Sequence, residues 1–156
     1  MLYAIIVVGY REEKSNGTTR SYAPGFGGKT VALFAVPGAF TPTCSNQHMP
    51  GYVQHAATIR EKGVDTIVCL SVNDAFVMDA WGKDQGTGGN IMMVGDGNGE
   101  FTKAIGLEMD GSGFGLGTRS LRYSMIVRDG VVDTLNIESN PGEAVDSGAE
   151  NLISQL

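Results

Sequence analysis

The sequence contains no C-x-x-C pair. Its two cysteines, Cys44 and Cys69, stand far apart, which argues against disulfide exchange through a closely spaced dithiol. Basic residues are scarce as well: 11 Lys and Arg face 17 Asp and Glu, and a formal charge of −6 repels nucleic acid and anionic membrane surfaces alike. No apolar run approaches the roughly 20 residues of a membrane span. The opening MLYAIIVVGY is about half that length, has neither a basic leader nor a small-residue cleavage pattern, and is predicted to be a strand. With no export signal, both cysteines are expected to be reduced thiols in the cytoplasm. The glycine-rich stretches GTGG and GDGNG lack the Lys-Ser/Thr of a phosphate loop, so they are expected to be turns. The Met92-Met93 pair is expected in a strand rather than at a metal.

What is present is the make-up of one domain over residues 1–156, 42% hydrophobic and 18% charged, with enough apolar residues for a sizeable core. The Asn16-Gly17 pair predicts a hairpin that returns near Tyr22. Val31 to Val36 is a continuous apolar run of strand length, as expected of a central strand buried on both faces. A helix should then begin at or beside Cys44 with Thr43 as its cap, be kinked by Pro50, and end at Gly63. Asp65 to Val72 reads as the next strand, and Asn73-Asp74 caps a helix reaching about Lys83.

A short strand (Ile91 to Val94) and a short helix (Phe101 to Ile105) follow. A hairpin of Tyr123 to Arg128 and Val131 to Ile137 turns at Asp129-Gly130, and a last helix is capped near Asp146 or Ser147. This order predicts an α/β protein with a mixed central sheet flanked by helices, a thioredoxin-like fold.

Cys44 is placed where a central strand ends and a helix begins, so the unpaired N–H groups of the helix's first turn and its dipole favour a thiolate there. An ordinary thiol with a pKa near 8.5 is about 3% ionised at pH 7, whereas one near 6 is roughly 90% thiolate, a difference of roughly 3.4 kcal/mol. A helix terminus supplies about 0.3 to 1 kcal/mol, or about 2 when partly buried, so an arginine should sit near the sulfur. Cys69 lies mid-strand among apolar neighbours and is expected to be structural.

Pro37, Thr41 and Cys44 in PGAFTPTC match the P-x-x-x-T-x-x-C signature of peroxiredoxins, and LSVNDAFV, WG, GTRSLRYSM and ISQL extend the likeness from about Lys29 to Leu156. The sequence looks most like the type II (atypical) branch, the peroxiredoxin-5 group, whereas residues 1–28 diverge from it. The resemblance implies a cofactor-free and metal-free peroxidase that reduces hydrogen peroxide and alkyl hydroperoxides, with Cys44 as the peroxidatic nucleophile, Arg119 as the matching family arginine and a homodimeric state. Within that frame Thr41 holds the peroxide, Pro37 walls the pocket, the backbone N–H groups near Thr43 and Cys44 face the leaving oxygen, and His48 lines the pocket. Arg122 is expected to support Arg119 or a partner surface, and His55 to lie on the surface.

The family's resolving position just before ISQL holds no cysteine in EAVDSGAENLISQL, which leaves Cys69 as the one internal candidate. If Val72 ends its strand, Cys69 lies about 10 Å below the rim, beyond disulfide reach without local unfolding of the helix start. An external thiol, glutathione with glutaredoxin or a thioredoxin, is therefore the expected reductant. The alternative function is a peroxide sensor or redox-switched binding protein that uses the same cysteine.

Overall fold

The structure is a computed structural model that describes residues 11–15, 18–22 and 26–156. The predicted strand in MLYAIIVVGY lies outside the described residues. The first hairpin is β1 (Arg11–Ser15) against β2 (Thr18–Tyr22), antiparallel, with Ser15 opposite Thr18; the Asn16-Gly17 pair expected to turn it lies outside the described residues.

The main sheet is built on β3 (Thr30–Val36), which pairs in parallel with β4 (Thr66–Ser71) and antiparallel with β8 (Tyr123–Arg128). Outside them lie β5 (Met92–Gly95), parallel to β4, and β9 (Val131–Ile137), antiparallel to β8. The five-stranded order is β5-β4-β3-β8-β9, the mixed thioredoxin-like sheet that the element order predicts. Strand alternation sends Ala32, Phe34, Val36, Ile67, Cys69 and Ile126 to one face, where they pack with α1 (Met49–Glu61), α2 (Ala75–Asp84) and α4 (Ala149–Ser154). Val31, Leu33, Ala35, Val68 and Leu70 face the other way, against α3 (Glu100–Ala104) and Leu107. Both faces of β3 are thus covered, which is why Val31 to Val36 carries no polar residue.

The helix after β3 departs from expectation. Thr43 is already helical (φ −64°, ψ −38°) and its side chain caps nothing in the helix; its hydroxyl donates instead to the Gly142 carbonyl at 3.3 Å. The Ser45 N–H bonds the Thr41 carbonyl, so the helix starts at Pro42 and Cys44 lies within its first turn. Residues Cys44–His48 form a π-helical turn, closed by the Met49 N–H on the Cys44 carbonyl, before α1 begins. Pro50 has no N–H to give and falls in the first turn of α1, directly after this wider turn, where its ring meets no carbonyl at α-helical spacing.

At the far end of the chain, α4 has Gly148 rather than Asp146 or Ser147 at its cap position. Asp74 does cap α2, accepting from the Val77 N–H at 2.9 Å. Asp129 (φ 50°) and Gly130 (φ 76°) make the tight β8–β9 turn. A small hairpin of β6 (Glu108–Asp110) and β7 (Thr118–Ser120) lies where only a loop was expected.

Phe34 is fully buried at the centre of the helix-covered face and stacks on Tyr52 with ring centroids 3.8 Å apart. Phe34→Ala is expected to cost about 3 to 5 kcal/mol. Urea unfolding should show a lower midpoint with an unchanged slope, and a loss under about 1 kcal/mol would mean the neighbours close over the cavity.

Candidate active site

The site forms at the carboxyl ends of β3 and β4, where parallel strands hand the chain to loops and helix starts. After Val36 the chain turns through Pro37–Thr41 with Phe40 in a left-handed conformation (φ 61°). The turn is held internally by the Thr41 hydroxyl, which donates to the Gly38 carbonyl at 2.7 Å. It is held from the side by Asn73, whose Oδ1 accepts from the Ala39 N–H at 2.9 Å. The Trp81 indole N–H, donating to Ser45 Oγ at 3.0 Å, ties α2 to the π turn.

Cys44 sits behind this turn, fully buried, as a free thiol. The guanidinium that reaches it belongs to Arg122, whose Nη2 donates to Sγ at 3.3 Å. Arg119, expected in that place, points elsewhere: its Nε donates to the Leu116 carbonyl at 2.9 Å and its Nη1 to the Pro37 carbonyl at 3.3 Å. It braces the turn from outside, so close that a Cβ on Gly38 would meet Arg119 Nη1 and Thr41 Cγ2 at 3.0 Å. The register explains the exchange. Tyr123 at the start of β8 lies opposite Ala35, so the residue just before it arrives beside the end of β3. Ser124 and Ile126 face the helix-covered side, and alternation puts Arg122 on that same side with Cys44.

His48 is brought to the same cluster. Its Nδ1 lies 3.2 Å from Arg122 Nη1 and its Nε2 lies 3.0 Å from the Ser147 carbonyl. A guanidinium only donates and a carbonyl only accepts, so Nδ1 is bare and Nε2 carries the proton. Burial, with the Arg122 charge adding to it, lowers the His48 pKa to about 4, against the opposing pull of the Ser147 carbonyl and Glu138. Cys69 is two residues inside the end of β4 and shares the core cluster with Cys44. Burial first, and the nearby Cys44 second, push its thiol well above the usual range, so it is a poor nucleophile where it lies. His55 bonds the Gly51 carbonyl one turn back on α1 and stays away from the site. Among the described residues, no group of acidic, His and Cys side chains is arranged to hold a metal ion, and no helix is long and apolar enough to cross a membrane.

The redoxin family profile matches residues 10–153. Peroxiredoxin-2B of Arabidopsis thaliana is 48% identical over 129 residues, which cover 83% of this chain and 79% of that protein. The chain belongs to the peroxiredoxin family. The chloroplastic Peroxiredoxin-2E of the same plant is 53% identical over 131 residues, 83% of this chain; the match spans 56% of that longer protein, little more than half. Among solved structures, a reduced Prx3 from Vibrio vulnificus in complex with H2O2 is 56% identical, with a TM-score of 0.79 over 84% of each chain.

As a peroxiredoxin, the chain presents three site residues that its sequence singled out in other roles or passed over. Arg122 was readable from strand alternation once β8 was placed beside β3. Glu138 and Ser147 carry no local signal. Glu138 sits just past β9, and its carboxylate accepts from Ser147 Oγ (2.7 Å) and from the N–H groups of Ser147 (2.9 Å), Asp146 (3.1 Å) and Val145 (3.2 Å). Burial alone would raise its pKa, but these bonds outweigh it and hold the carboxyl below its usual range.

The buried imidazole makes stability pH-dependent. Unfolded, it binds a proton below about 6.5; folded, it does so only below about 4, so stability is expected to fall as pH drops through that window. The loss amounts to roughly 3 kcal/mol at about 1.36 kcal/mol per unit. Denaturant midpoints measured from pH 7 to pH 4 should fall in wild type and flatten in a His48→Asn variant.

Proposed function

We propose that the protein is a thiol-dependent peroxidase that reduces hydrogen peroxide and alkyl hydroperoxides at Cys44. The observation that carries this reading is the Arg122 Nη2 contact with Cys44 Sγ at 3.3 Å, made at the start of a helix and behind a Pro- and Thr-bearing turn. A cation beside a buried sulfur suits an anionic nucleophile, since a charge-assisted hydrogen bond is worth about 1.5 to 3 kcal/mol where a helix end alone gives about 1.

In the reaction, Sγ attacks the distal peroxide oxygen. The S–O bond forms as the O–O bond breaks, the sulfur is oxidised by two electrons, and the departing oxygen takes the electron pair and then a proton to leave as alcohol or water. Arg122 is the donor that can follow the charge from sulfur to leaving oxygen. The Thr43 and Cys44 N–H groups, which precede the first bond of the helix ladder, add to it. Thr41 and Pro37 bound the peroxide's place, and Arg119 supports the turn that carries them.

The sulfenic acid is then attacked by an external thiol, glutathione with glutaredoxin or a thioredoxin, with loss of water and formation of a mixed disulfide that a second thiol reduces. The raised pKa of Cys69 favours this route over an internal disulfide. Two free cysteines suit a reducing compartment such as the cytoplasm. The large side chains of Phe40 and Phe114, 54% and 87% exposed, suit a homodimer whose interface would cover them.

Peroxide consumption sustained by added thiol tests the assignment. Cys44→Ser should abolish it, and Arg122→Gln should lower the peroxide rate constant by about 10²- to 10³-fold, as loss of a preorganised donor does. Arg119→Gln should cost far less, and Cys69→Ser should leave glutathione-supported turnover largely intact. A single stoichiometric oxidation with no turnover would point to a sensor, and equal losses at both arginines would undo the choice of Arg122.

A further inference from the structure

The Arg122 guanidinium is a flat fork, and three contacts fix it: Nε on the Pro141 carbonyl at 3.3 Å, Nη1 on His48 Nδ1 at 3.2 Å and Nη2 on Cys44 Sγ at 3.3 Å. Two of the three acceptors take no part in bond making. His48 is the only side chain besides Cys44 among these acceptors, and it is uncharged. A carboxylate in its place would neutralise the guanidinium; a bare imidazole nitrogen orients it and leaves its charge for the sulfur.

His48 is in turn held on all sides. Its ring is tilted against Phe34 (centroids 5.1 Å apart) and edge-on to Tyr52 (5.6 Å), and the Ser147 carbonyl takes both the His48 Nε2–H and the Tyr52 hydroxyl, the latter at 2.8 Å. The turn that bears Ser147 is gathered onto the Glu138 carboxylate, and the Glu138 N–H donates to the Arg122 carbonyl at 3.0 Å. The anchor of the imidazole and the backbone of the arginine are thus tied to one residue.

We propose that His48 is a positioning residue for the chemistry at Cys44: its bare Nδ1 holds the Arg122 fork in the plane that aims Nη2 at the sulfur, and the Ser147 carbonyl, set by Glu138, keeps that nitrogen bare. The proposal rests on Cys44 being the reacting group. Removing the acceptor leaves a buried N–H of Arg122 without a partner, and the fork turns to find one, carrying Nη2 off the sulfur. The charged and titratable groups that face the imidazole are Arg122, Glu138 behind Ser147, the Tyr52 hydroxyl and, through the arginine, Cys44.

Nitrogen NMR of the wild-type imidazole at pH 7 reads the tautomer directly, and the expected result is a proton on Nε2 and none on Nδ1. In a Cys69→Ser background, the pH profile of Cys44 alkylation by iodoacetamide and the rate of oxidation by hydrogen peroxide are then compared for the protein with His48 intact and for its His48→Asn and His48→Leu variants. His48→Leu should move the alkylation profile to higher pH and slow oxidation about tenfold, as loss of part of the Arg122 donation to the sulfur and the leaving oxygen does. His48→Asn, which keeps an acceptor toward Arg122, should recover most of both. A proton on Nδ1 overturns the proposal, as does an unmoved alkylation profile in folded His48→Leu. If the leucine variant does not fold, an asparagine variant that behaves as wild type supports the proposal, and one that loses the profile overturns it. Alkylation does not depend on peroxide turnover, so a shifted profile in a protein with no peroxidase activity would sink the peroxidase reading and leave the positioning role standing.

Discussion

The contact between the Arg122 guanidinium and the Cys44 sulfur is the constraint around which this end of the molecule is organised. Both groups are buried, and a cation withdrawn from water has to find acceptors for its donors nearby. The fold supplies three from three separate parts of the chain: a carbonyl from the loop after β9, an imidazole from the π turn, and the sulfur at the head of that turn. None of these could be moved without leaving a buried N–H empty.

Two features of the backbone make this convergence available. The antiparallel pairing of β3 with β8 delivers Arg122 to the place where β3 gives way to the Pro37–Thr41 turn. The π-helical turn, which Pro50 makes favourable by withholding an N–H, keeps Cys44 and His48 on the side of the helix that faces the arginine. The loop from Glu138 to Gly148 closes the arrangement from outside, with Gly142 receiving the Thr43 hydroxyl, Pro141 the arginine and Ser147 the histidine.

Where local chemistry decides, residues could be read directly. Asp74 caps its helix because its side chain meets the Val77 N–H three residues on, and Asp129-Gly130 turns because those two residues tolerate the left-handed backbone that a two-residue hairpin needs. The Val31 to Val36 run could be read as central because burial on both faces demands apolar residues throughout. Thr43 and Ser147 misled for the same reason in reverse. Both look like caps, yet each hydroxyl is drawn to a partner outside its own helix, Thr43 to the Gly142 carbonyl and Ser147 to the Glu138 carboxylate. The β6–β7 hairpin was missed because its strands are three residues long, too short for alternation to show.

By itself the sequence determined most of the order of strands and helices, the central strand of the sheet and which thiol stands at a strand-to-helix junction, since periodicity, turn residues and the Pro37-Thr41-Cys44 spacing are all written over short distances. Only the tertiary structure decided which arginine meets the sulfur, which nitrogen of His48 carries the proton and how far burial raises the Cys69 thiol. Those depend on strand register, on what covers each side chain, and on acceptors brought together from distant segments, and no local pattern records how far a folded chain excludes water from a given atom.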